Sequence, residues 1–153
     1  METGQELIKR LTRQESQYLT LKNAVMRQAT HIRAMDIGGL TTDMAEIRSM
    51  MRKVKDLEVD LRPLRQSWHS LGLDRAPAER RGVDTLVDSI RSIVDEIQTS
   101  KNENATLLKA RMGDLRKEMA GLQTKGKAAL AYQGPKSTGR ATNAAKFIDR
   151  VTS

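Results

Sequence analysis

The chain has 153 residues, 30% of them charged and 3% aromatic, carries a formal net charge of +8 and contains no cysteine. That length fits one domain or a small helical bundle with a tail, and the few aromatics (Tyr18, Trp68, Tyr132 and Phe147) are too sparse for a compact β or α/β core. The lack of cysteine excludes a disulfide framework and a thiolate metal site, and no apolar run approaches the ~20 residues that span a bilayer.

A first helix is predicted over about residues 5–35. Leu7, Leu11, Glu15, Tyr18, Lys22, Val25, Ala29 and Ile32 share one seam at steps of three and four, with Ile8 and Leu19 widening it. Asp36-Ile37-Gly38-Gly39 reads as its end, the glycine pair serving a tight turn. A second helix is predicted over about 42–70, capped by Thr41, Thr42 or Asp43, with Glu46 placed for a capping box. Its seam runs through Met44, Ile47, Met51, Val54, Leu57, Leu61, Leu64, Trp68 and Leu71, and Pro63 should kink it. After a polar connector, 72–82, a third helix is expected over about 83–133, roughly 75 Å long at ~1.5 Å per residue. Nothing else in the chain is long enough to cover it, so part must be exposed, dimerised or bent.

The fold expected is all-α: an antiparallel three-helix bundle over 1–133 with an overshooting third helix. A flexible basic tail, 134–153, follows and includes a short amphipathic piece around Phe147, Ile148 and Val151. The amino terminus lacks the apolar stretch of a signal peptide, so a soluble cytoplasmic protein is expected.

No catalytic arrangement stands out, and neither enzymatic activity nor a cofactor or metal is expected. His31 and His69 are far apart in sequence and outside any metal-ligand spacing, and the glycines follow no strand as a phosphate-cradling loop would. The third helix is more informative, because its halves differ. Val83, Leu86, Val87, Ile90, Ile93, Val94 and Ile97 form an ordinary core seam. Beyond Asn102-Glu103-Asn104-Ala105-Thr106, a stripe of Leu108, Met112, Leu115, Met119, Leu122 and Leu130 continues, interrupted by Gly113, Gly121 and Gly126. Asn102 and Asn104 read either as an exposed polar turn or as one buried polar group fixing helix register.

Charge shifts at the same place. Residues 1–100 carry 16 Lys/Arg against 15 Asp/Glu, and residues 101–153 carry 11 against 4. The last third is therefore a cationic arm that attracts acidic partners or surfaces. Glycine costs about 1 kcal/mol in a helix relative to alanine, so the arm is prone to fray when unsupported, and methionine adapts to varied apolar surfaces. Such an amphipathic segment suits helix-in-groove binding.

The helical hairpin broken at Asp-Ile-Gly-Gly-Leu (36–40), the Asn-Glu-Asn-Ala-Thr-Leu-Leu stretch (102–108) and Tyr-Gln-Gly-Pro from Tyr132 precede a basic tail with Ala-Ala-Lys-Phe-Ile-Asp-Arg (144–150). Together they resemble the flagellar type III export chaperones of the FlgN type. The resemblance implies a cytoplasmic chaperone that holds the C-terminal amphipathic helix of hook-associated proteins (FlgK/FlgL type), prevents premature assembly and delivers them to the export apparatus. It implies a cargo face of Leu107, Leu108, Arg111, Met112, Leu115, Met119 and Leu122. Tyr132 is then the candidate for docking to the export gate's cytoplasmic domain, and the export ATPase is a further candidate partner. The connector Ala-Pro-Ala-Glu-Arg-Arg (76–81) and the density of Arg and Lys depart from that pattern.

Two other classes compete. A coiled-coil or scaffold protein, such as a peripheral component of a secretion ATPase, would use the stripe as a permanent interface, in a homodimer for example. A nucleic-acid-binding helical protein would use the basic arm, but nucleic acid is not the expected partner: no binding motif is present, and aromatics in the arm are limited to Tyr132 and Phe147.

Overall fold

The computed structural model describes the backbone of residues 2–130 and the side chains of residues 3–126. The described residues form three helices: α1 (Glu2–Ala34), α2 (Ile37–Leu71) and α3 (Pro77–Leu130), with a 3-10 turn at Gly72–Asp74. The all-α expectation holds there, and the expected tail, 134–153, lies outside the described residues. The chain divides into two compact units, one through Ala105 and one from Thr106 onward. The division falls inside the Asn102–Leu108 stretch where the composition changes.

The first interhelical turn differs from the expected one. Its left-handed residue is Met35, with φ 51°, rather than a glycine. The Asp36 amide donates to the His31 carbonyl at 2.9 Å and the Met35 amide to that of Ile32 at 3.0 Å, a Schellman arrangement closing α1. Asp36 then caps α2 by accepting from the Gly39 amide at 2.9 Å. One residue thus ends one helix and starts the next, and α2 begins at Ile37 rather than near residue 42. Gly38 and Gly39 lie in its first turn, where a Cβ on Gly39 would sit 2.7 Å from the His31 ring. The expected capping box is absent because its members are engaged elsewhere: the Thr42 hydroxyl donates to the Gly38 carbonyl, Asp43 pairs with His31, and Glu46 pairs with Arg27.

The second connection is shorter than expected. Gly72, with φ 52°, caps α2 by donating its amide to the His69 carbonyl. Arg75 donates through Nε to the Trp68 carbonyl at 2.8 Å, and its guanidinium lies 5.3 Å from the Trp68 ring centroid. A cation on the last carbonyls complements the helix end while the aromatic face stabilises it further. α3 starts at Pro77 rather than Val83, because proline suits the first helical position, where its missing N–H costs no bond. Pro63 lies inside α2, which runs on through it. Val59, whose carbonyl loses its donor, is 53% exposed, so solvent can serve that oxygen.

Within the first unit the core forms two apolar clusters. One gathers Leu7, Leu11, Leu57, Leu61, Trp68 and Val83, and the other Leu21, Val25, Ile93 and Ile97. A polar layer separates them along α1. Gln14, 1% exposed, donates to Glu58 at 2.7 Å, and Glu58 also pairs with Arg65. The seam assigned Glu15 to this face, whereas the buried residue is its neighbour Gln14. The backbones of α1 and α2 approach within 8 Å along much of their length, whereas α3 comes that close to them almost nowhere. In the first unit α3 is held by side chains: Val83, Ile93 and Ile97 in the clusters, the Lys22–Glu96 ion pair, and Asn104. Asn104 is buried and donates to the Val25 carbonyl at 2.9 Å and to Gln28 at 3.2 Å. Of the two readings of the asparagines, the buried polar group is the one observed.

Candidate functional site

From Thr106 to Leu122, α3 carries the stripe in question. Leu108, Met112, Leu115, Met119 and Leu122 recur at alternating steps of four and three, which keeps them on one side of a 3.6-residue helix. Exposure is graded along it. Leu108 is 8% exposed and Met112 5%; Leu107, Leu115 and Met119 are half-buried; Leu122 is 67% exposed. A leucine two-thirds in water forfeits most of the roughly 1.5–3 kcal/mol that full burial supplies. Arg111 is half-buried, with one terminal nitrogen 3.9 Å from Asp114 and its Nε buried without a hydrogen-bond partner among the described residues. The structure therefore places Leu107, Leu108, Arg111, Met112, Leu115, Met119 and Leu122 on one segment, the free surface growing toward Leu122. Tyr132, the expected docking residue, lies outside the described residues.

The glycines fall into two classes. A Cβ on Gly4 would meet the Glu79 carboxylate and come within 2.9 Å of the Trp68 ring, and one on Gly82 would sit 3.1 Å from Ile8. These permit close approach in the first unit. A Cβ on Gly113 or Gly121 would meet nothing within 4 Å. Packing does not explain those two, whose local effect is to weaken the helix by about 1 kcal/mol each.

Other polar groupings are structural in geometry. His31 pairs with the buried Asp43 and ties the end of α1 to the start of α2. Tyr18, beside the Gln14 layer, has its hydroxyl pKa pushed upward, first by burial and then by the Glu58 carboxylate, with Arg65 acting in the opposite sense. Among the described residues no group of three or more His, Asp or Glu side chains is placed to hold a metal ion, and no helix is long and apolar enough to cross a membrane.

An amphipathic segment on a bundle is common to many helical proteins, and comparison with known families decides among them. The family model described as FlgN protein matches residues 1–140. The chain belongs to the FlgN family. No curated protein and no solved structure matches it significantly. The FlgN match runs through both units and covers the residues of the stripe. Sequence periodicity located the stripe; it missed Gln14 and Asp43, polar residues whose burial depends on partners on a second helix.

Proposed function

We propose that this FlgN-family chaperone is a cytoplasmic, non-enzymatic binding protein that captures the C-terminal amphipathic helix of hook-associated proteins, FlgK/FlgL type, and delivers them to the export apparatus. The observation that carries the reading is the apolar stripe whose exposure rises to 67% at Leu122 on a segment weakened by unpacked glycines. Leu115, Met119 and Leu122 make first contact with cargo, and Leu107, Leu108, Arg111 and Met112 extend the face. Tyr132 docks on the cytoplasmic domain of the export gate, with the export ATPase as a further partner. An antiparallel bundle presents the arm. Its orientation is supported by the ladder Arg10–Asp60, Gln14–Glu58, Arg27–Glu46 and His31–Asp43, in which numbers rise on α1 as they fall on α2.

The energetics suit a carrier that must release. Leu115, Met119 and Leu122 supply at most ~1.5–3 kcal/mol each on burial, and ordering the arm removes roughly 2–5 kcal/mol, so the complex is readily reversible. Calorimetric titration with a hook-associated protein's C-terminal peptide tests this. Leu122→Ala should weaken binding about 5- to 30-fold, the equivalent of 1–2 kcal/mol, without lowering the thermal midpoint. Unchanged affinity in Leu122→Ala and in the double variant Leu115→Ala/Met119→Ala would overturn the assigned face.

A further inference from the structure

α3's stand-off from the hairpin leaves a hollow of about 500 Å³ in the first unit, between the start of α1, the end of α2 and the start of α3. Its floor is apolar, formed by Leu11, Trp68, Val83 and Ile90. Gln14 also lines it, 1% exposed, and while its amide nitrogen is held by Glu58 its Oε1 is buried with no hydrogen-bond partner. A buried acceptor left unpaired is costly, so this oxygen calls for a donor. Three guanidiniums reach the lining, those of Arg65, Arg75 and Arg91, against one carboxylate, Asp84. Glu58 balances Arg65, and Arg75 is spread over the Trp68 ring, but Arg91 is exposed and has no ion pair among the described residues.

We propose that this hollow is a second docking site, separate from the stripe beyond Thr106, and that it takes an acidic, apolar segment of a partner protein. Such a segment supplies each missing element: an apolar side chain for the floor, an N–H for Gln14 Oε1, and a carboxylate for the guanidinium rim. Charge also argues against this chain filling its own site from its last third, where Lys and Arg outnumber Asp and Glu by 11 to 4. The chaperone thereby holds two partners at once, one on each unit.

Trp68 is the chain's single tryptophan and lines the hollow, so its fluorescence reports occupancy. The full chain is titrated with a blocked 14-residue peptide of Leu, Ala and Glu whose leucines follow helical spacing, and with the same peptide carrying Lys for Glu. The proposal predicts a saturable change in Trp68 emission with the acidic peptide and at least tenfold weaker binding of the basic one. Arg91→Ala and Gln14→Leu should each weaken the acidic peptide at least fivefold, while Leu122→Glu, in the second unit, leaves its affinity unchanged. Circular dichroism and a thermal melt verify that each variant is folded. No saturable response up to millimolar peptide would overturn the proposal. So would a response that survives both Arg91→Ala and Gln14→Leu, or one abolished by Leu122→Glu.

Discussion

Met35 occupies the left-handed region, at φ 51°, in the turn that joins α1 to α2. A side chain there costs roughly 1 kcal/mol that glycine avoids, and the two hydrogen bonds that close α1 at this residue are made by backbone alone. Met35→Gly should therefore raise stability by about 0.5–1 kcal/mol, read as a higher urea midpoint at unchanged slope. Tyr18 gives a pH prediction. Its native pKa lies above the unfolded value, so from about pH 10 upward the unfolded chain releases a proton that the native state keeps. Stability then falls with rising pH through that window and is unaffected below it. The fall in urea midpoint between about pH 9 and 11 should be shallower in Tyr18→Phe, in which that proton is absent.

The helix elements were legible in the sequence because three- and four-residue periodicity directly records which face meets a core. Leu7, Leu11, Val54, Leu57, Leu61, Trp68, Val83 and Ile97 lie on the expected seams and are all buried. The ends were less legible. Gly38-Gly39 looks like a turn, but Asp36 offers a cap two residues earlier, and a cap depends on one hydrogen bond that periodicity does not register. Pro77 was hidden the same way within a polar run. The second half of α3 yields a prediction of its own. Since added methyls at Gly113 and Gly121 meet nothing, Gly113→Ala and Gly121→Ala should each strengthen the helix by up to about 1 kcal/mol. Amide exchange across residues 106–126 should slow in both. Because ordering the arm opposes cargo binding, each variant should also bind cargo more tightly, by up to about fivefold, an outcome calorimetry reads directly.

Across the whole molecule, burial, glycine use and charge all change near the junction of Ala105 and Thr106. Before it, several polar side chains pair from one helix to another, ending with the buried Asn104 on the Val25 carbonyl. After it, the apolar stripe emerges into solvent while net positive charge accumulates toward the C-terminus. The stripe could be located from sequence, but its gradient of exposure could not, because spacing tells which side of a helix is apolar and not how much of that side is covered. Under the proposed function, this division separates a helical body from a capture surface. Hydrogen exchange at residues 106–126, with and without a hook-associated protein's C-terminal peptide, measures that division most directly. The account predicts fast exchange in the free chain and at least tenfold slowing on cargo addition, centred on Leu115–Leu122, with residues 5–100 little changed. Equal protection in both states, or slowing confined to the first unit, would contradict it.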